Sequence, residues 1–374
     1  AAPPAATAGA DDVLQVLDAA ARDPKITHAL LLTDDLGGAG LAKLREVAAA
    51  IERFKAAGKP VIAWAEGYDQ RGYYLAAHAS KVYLHPEGAV LLEGLSRYRT
   101  FFKGAFDKLG VEPRLFRVGE FKSAGEPYIR TDMSPEAREA DLYWMGDLWQ
   151  RYLADVARLR KLDPAKLAAE IDALDSLVKA ANGDLARMAL EQGLVDELKT
   201  RDQVRAELIA AGAEDPESKS FRQIGVEEYV AAVEMREPDN GTDRVAIVVA
   251  EGEITSGDQP PGTVGGDSTA KLIRQAREDE KVKALVLRVD SPGGEVFPSE
   301  LIRREVELTK ESGKPVVISM GDLAASGGYW ISMNADRIYA DPSTITGSIG
   351  IFGLFFNVPE AMGKVGLTTD GVGT

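Results

Sequence analysis

Ser326 stands in the run Gly321-Asp322-Leu323-Ala324-Ala325-Ser326-Gly327-Gly328-Tyr329-Trp330, just after an apolar stretch at 316–320. A serine between a strand and a helix, with small residues on both sides, is a nucleophile elbow. The small neighbours let a substrate backbone approach, and the helix turns free N–H groups and its positive dipole end towards developing negative charge. The N–H of Gly327 is then a natural oxyanion donor. A second donor is expected from Ser291-Pro292-Gly293-Gly294, which closes the neighbouring apolar run and so puts Gly293 and Gly294 at the same sheet edge. The chemistry such a set performs is acyl transfer through a serine alkoxide. A serine before two glycines also serves as an ordinary helix cap, so the elbow needs support from elsewhere in the chain.

That support is an internal repeat. The segment 14–38 (LQVLDAAARDPKITHALLLTDDLGG) runs parallel to 270–294 (AKLIRQAREDEKVKALVLRVDSPGG). Lys25 and Lys281, like Gly38 and Gly294, are 256 residues apart. Gly58-Lys59-Pro60-Val61 matches Gly313-Lys314-Pro315-Val316 within one residue of that offset, and Gly72-Tyr73 pairs with Gly328-Tyr329. The chain therefore reads as a tandem duplication. Gln70 stands at the position matching Ser326, and Asp35 at that matching Ser291. One repeat keeps the small-residue chemistry and the other has lost it.

A serine hydroxyl needs a base, most often histidine. The only histidines are His28, His78 and His85, all in the first repeat, at a strand head, within a helical stretch and in a turn before Pro86. Each reads as structural. Lysine is the alternative, but 44 Lys+Arg residues leave the choice open on composition. Segment 116–127 stands apart because Lys122 lies there among aromatic and small residues rather than in a charge run, with Ser123 next to it to orient the amine. A lysine must drop from about 10.4 to roughly 7–8 to accept a proton near neutrality, and burial in a water-poor cleft is the plausible cause. Spacing alone does not single out Lys122.

The elements that must position these groups alternate. Apolar runs at 245–250, 284–289 and 316–320 read as buried parallel strands, with helical stretches near 270–277 and 299–309 between them. This order implies an α/β fold with mostly parallel sheets and right-handed crossovers. Ser134-Pro135 opens a long helix, as an N-cap followed by proline at the first helical position. Its stripe of Leu142, Met145, Leu148, Trp149, Tyr152, Leu153 and Val156 is expected to be packing. A polar connector at 237–242 divides the chain into a first repeat at 1–236 and a second at 237–374. With 374 residues, 45% hydrophobic and 28% charged, the chain has the composition of a globular protein of two domains. Its net charge of −15 argues against nucleic acid as a partner, and the lack of cysteine removes disulfides and thiol chemistry. Residues 1–10 have neither a basic region nor an apolar core, so they do not read as a signal peptide.

Five ordered motifs carry a resemblance: 116–127, Met133-Ser134-Pro135 with 137–141, 291–294, 324–330 and 346–351. Together they resemble the bacterial signal peptide peptidase family in its long, tandem-duplicated form, also called protease IV. The resemblance implies a Clp-protease/crotonase-like fold with helical extensions. It implies a Ser/Lys dyad made of Ser326 and Lys122, with no metal or cofactor. Segment 343–351, with Ser348, would lie beside the nucleophile and help shape an apolar specificity pocket. The counterpart of Lys122 in the second repeat falls near 378, past Thr374, so only the resemblance assigns the base to the first repeat. Expected substrates are remnant signal peptides and other apolar peptides. The expected assembly is a homotetramer at the bacterial cytoplasmic membrane, facing the periplasm and held by an N-terminal anchor outside these residues. Asp322 and Leu323 depart from the small or Met residues that relatives often carry before the elbow. Two other readings are a crotonase-type acyl-CoA enzyme and an inactive peptide-binding scaffold.

Overall fold

The computed structural model describes residues 9–234 and 243–374. It divides into two compact units, Ala1–Gly94 with Leu148–Gly241, and Leu95–Asp147 with Thr242–Thr374. These units do not follow the division at 236/237 read from the repeat. That connector lies outside the described residues, and the stretch from Leu95 to Asp147 groups with the later part of the chain.

The first unit is built on four parallel strands in the order Ala29–Leu32, Val61–Ala65, Lys81–Leu84 and Glu197–Leu198. Every residue of Val61–Ala65 is buried. A run apolar at every position suits a strand covered on both faces. One face meets Phe54 and Ile51 of helix Leu41–Ala56. On the other, Ile62, Trp64 and Tyr83 pack with Val204 and Leu208 of helix Arg201–Ala211.

In the second unit the parallel sheet runs Arg337–Tyr339, Val316–Ala325, Val282–Ser291, Arg244–Glu251, with Ile345–Gly347 paired beside the end of Val316–Ala325. The α/β architecture with mostly parallel strands is the one expected. Strand register repeats the sequence offset. Ala29 faces Val61 as Leu285 faces Val316, and Ile62 faces Lys81 as Val317 faces Arg337. The matched lysines do the same work in each unit. Lys59 Nζ donates to the Ala20 and Asp23 carbonyls at 2.6 Å, closing helix Ala10–Arg22. Lys314 Nζ donates to the Ala276 and Asp279 carbonyls at 3.0 and 2.6 Å, closing helix Gly266–Glu278. A cation there satisfies orphan carbonyls at the negative end of the helix dipole.

Helix Pro135–Arg160 begins as its signals predict, with Ser134 Oγ accepting from Ala137 N–H at 3.1 Å. Tyr152, Leu153 and Val156 are buried in the first unit, whereas Leu142 is exposed, so the stripe packs only along its later part. Among the described residues no helix is long and apolar enough to cross a membrane.

The sequence reading did not anticipate an antiparallel ribbon. Strand Glu112–Val118 pairs with Ile351–Asn357 over seven residue pairs, from Val118 opposite Ile351 to Glu112 opposite Asn357. Where the ribbon opens, Gly350 takes φ 138° and its Cα faces the Val118 carbonyl, which any Cβ would strike. Gly350→Ala is therefore expected to destabilise the second unit by about 1–3 kcal/mol. A lowered urea midpoint at unchanged slope would show it, and a wild-type midpoint would remove the constraint.

Candidate active site

Strand Val316–Ala325 delivers Ser326 to the start of helix Gly327–Ser332. Its register against Val282–Ser291 slips between Met320 and Ala324, and Asp290 Oδ1 accepts from Leu323 N–H inside the slip at 3.0 Å. The unusual Asp322 and Leu323 thus belong to an irregularity that precedes the elbow. Ser326 adopts φ 52° and ψ −117°, a backbone state costly for a side-chain-bearing residue. Its N–H donates to the Gly347 carbonyl at 2.8 Å, which ties the elbow to strand Ile345–Gly347.

The ribbon carries the other partner in. Four residues beyond Val118, Lys122 is 7% exposed, and its Nζ lies 2.9 Å from Ser326 Oγ. The same nitrogen donates to the Ser348 carbonyl at 2.8 Å and lies 3.4 Å from Ser348 Oγ. A carbonyl can only accept, so one N–H is held on Ser348 and the amine's orientation towards Ser326 is set. Burial holds the amine below the ordinary lysine range, as the charged form is the one disfavoured by loss of water. Lys122, Ser326 and Ser348 all belong to the second unit.

Gly293 and Gly327 flank the serine. Gly293 has φ 93°, and a Cβ there would strike Gly327 N. The turn is pinned by Ile254, whose N–H donates to Gly293 O and whose carbonyl accepts from Glu295 N–H, both at 2.9 Å. Across the trans peptide that follows Gly293, the Gly294 N–H points away from the Gly293 carbonyl and so away from Ile254. Gly327 occupies the first helical position, where the N–H has no partner within the helix.

Ser123 is not where it was expected. Its hydroxyl accepts from Arg99 Nη1 at 3.1 Å, because the side chain after Lys122 points to the other side of the loop. Ser348 is the serine that meets the amine. None of the three histidines bonds to Ser326. His78 is held by Glu52 at 2.9 Å, His28 by Thr27, and His85 accepts from Glu87 N–H. Gln70, matching Ser326, uses both ends of its amide on backbone: Nε2 donates to Gly94 O and Oε1 accepts from Glu93 N–H. Arg117 and Glu126, which hold the Lys122 loop, went unread although both lie in segment 116–127.

The family model for peptidase family S49 matches residues 53–213 and 309–374, which include both Lys122 and Ser326. The chain belongs to peptidase family S49. It is 43% identical to Protease 4 of Salmonella typhi over 97% of its own length, and 41% identical to Protease 4 of Haemophilus influenzae over the same share. The chloroplastic serine protease SPPA of Arabidopsis thaliana is 29% identical over 94% of the chain. The chain spans 58%, 59% and 51% of these three family members.

A lysine depressed in the folded protein binds fewer protons than in the unfolded one between its folded value and the ordinary lysine range. Stability therefore rises with pH across that window. Lys122→Met, free of this term, should gain on the wild type most at neutral pH, with the gain closing as pH climbs into the lysine range. Melting temperatures of both proteins between pH 6 and 10 test this; a pH-independent difference would mean the amine is not depressed.

Proposed function

We propose that this protein is a serine endopeptidase that uses Ser326 as nucleophile and Lys122 as general base. The observation that carries the reading is the 2.9 Å approach of the buried Lys122 amine to Ser326 Oγ, at an elbow to which no histidine is bonded. Membership of a peptidase family supports the reaction class.

In the cycle, neutral Lys122 accepts the Ser326 proton while the oxygen attacks a peptide carbonyl. Negative charge gathers on the carbonyl oxygen and is met by the N–H of Gly327 and that of Gly294, with Gly293 allowing the close approach of the two segments. The C–N bond then breaks, and the Lys122 ammonium gives its proton to the leaving amine. Water attacks the acyl-serine and gives a proton to Lys122; the ester bond then breaks, the Lys122 ammonium returns that proton to the Ser326 oxygen, and the carboxylic acid released loses its own proton to solvent. Ser348 keeps the amine in place throughout.

The substrates proposed are remnant signal peptides and other apolar peptides. Exposed Phe121, Ile349, Ile351 and Val118 beside the Lys122 loop suit such side chains. A homotetramer at the bacterial cytoplasmic membrane, facing the periplasm and anchored by an N-terminal segment, is the setting proposed for this activity.

Ser326→Ala and Lys122→Ala are each expected to lower kcat by at least about 10³-fold, the scale seen when one member of a nucleophile–base pair is lost. Melting temperatures should stay within a few degrees of wild type. A fluorophosphonate should label the wild type at Ser326 and leave Ser326→Ala unlabelled. Labelling elsewhere, or turnover retained in either variant, would reject the dyad. Peptide binding without labelling would favour an inactive scaffold.

A further inference from the structure

Arg117 lies in the ribbon strand Glu112–Val118, opposite Phe352, and its side chain returns to the loop that follows. Arg117 Nη1 donates to the Lys122 carbonyl at 3.2 Å and to Glu126 Oε1 at 3.1 Å. Glu126 is 1% exposed, and its other oxygen accepts from Ser134 N–H at 3.2 Å, where helix Pro135–Arg160 begins. The loop is closed further by Lys122 N–H on Gly119 O and Glu126 N–H on Ser123 O. One guanidinium thus joins the ribbon, the backbone of Lys122 and a buried carboxylate. Burial works to raise Glu126, and the bonds from Ser134 and Arg117 outweigh it and hold the carboxyl ionised.

We infer that Arg117 is a positioning residue for the reaction: by bonding the Lys122 carbonyl and the buried Glu126 it fixes the loop that presents the amine to Ser326. The inference rests on the Ser326–Lys122 reading. Other charged groups on elements around this loop are already paired. Arg97 and Arg99 engage Asp141, Arg130 engages Asp132, and Asp290 accepts from Leu323 N–H. Glu120 is exposed on the loop itself, and Asp322 lies in the register slip before the elbow.

The test is kcat and KM against pH for the full chain on a fluorogenic apolar peptide, with the rate of Ser326 labelling by a fluorophosphonate as a second readout. Arg117→Met should lower kcat about 10- to 100-fold with KM within about two-fold, since small misplacement of a reacting group costs on that scale. Arg117→Lys, which keeps a cationic donor on the same strand, should recover part of the lost kcat. Arg117→Met/Glu126→Gln should keep the lowered kcat, because the Lys122 carbonyl still lacks its donor. This double variant leaves no buried unpaired charge and so guards against simple misfolding. A lower melting temperature with wild-type kcat and labelling rate would make Arg117 merely structural and overturn the inference. So would a rise in KM with kcat unchanged in Arg117→Met while Lys122→Ala is inactive. Turnover retained in Lys122→Ala would instead overturn the dyad itself.

Discussion

The site depends on one pairing, the antiparallel ribbon of Glu112–Val118 with Ile351–Asn357. Lys122 and Ser326 are 204 residues apart, and nothing local brings them together. A lone two-stranded ribbon is marginal in water, since each cross-strand pair contributes only about 0.2–1 kcal/mol. This ribbon has a backing. Phe356 meets Phe106 of helix Lys103–Leu109 edge-on at 5.6 Å and Tyr128 of helix Glu126–Ile129 at 5.8 Å, and those rings stack with Phe102. The cluster also seats the short helix that begins at Glu126. The apolar packing that stabilises the ribbon therefore also fixes both ends of the lysine loop.

Two unfavourable terms are held in place by that frame. Ser326 keeps a strained backbone, of a kind costing about 1–3 kcal/mol, and Lys122 keeps an amine out of water. Each would relax in a softer setting: the serine by straightening its turn, the lysine by swinging into solvent and charging. The Gly347 carbonyl prevents the first and the Ser348 carbonyl opposes the second, and the two come from consecutive residues at the end of strand Ile345–Gly347. The strain and the desolvation are thus held by neighbouring backbone atoms, which no side-chain substitution at those positions directly removes.

Much of this was legible because it is periodic or local. Apolar runs marked the parallel strands, Ser134-Pro135 marked its helix, and the repeat offset read from the sequence recurs in the strand registers and in the bonds of Lys59 and Lys314. The serine was readable because an elbow is written in consecutive residues. The ribbon was not, because its two strands lie far apart in the chain and neither has a partner signal of its own. Ser123 was taken for the amine's neighbour through adjacency, yet successive side chains in a loop diverge, and Arg99 claims it. A carbonyl such as that of Ser348 has no sequence signature at all.

The family resemblance implied that each repeat would contribute one member to a shared site, and the compact units divide the chain differently from the repeats. Residues 95–147 leave the fold of the segment they follow and pack with the later one, so both members stand in a single compact unit. The matching elbow in the other unit shows what becomes of the position without that visitor. Gln70 there locks its amide on Gly94 and Glu93, Asp69 caps Gly72 N–H at 2.7 Å, and the Gln70 carbonyl accepts from Tyr152 OH at 2.7 Å. Such an elbow is a capped helix start whose Gln70 side chain is spent on backbone. The serine elbow keeps its hydroxyl for Lys122, and the reactivity proposed for it follows from that one retained group meeting an amine brought in from 204 residues away.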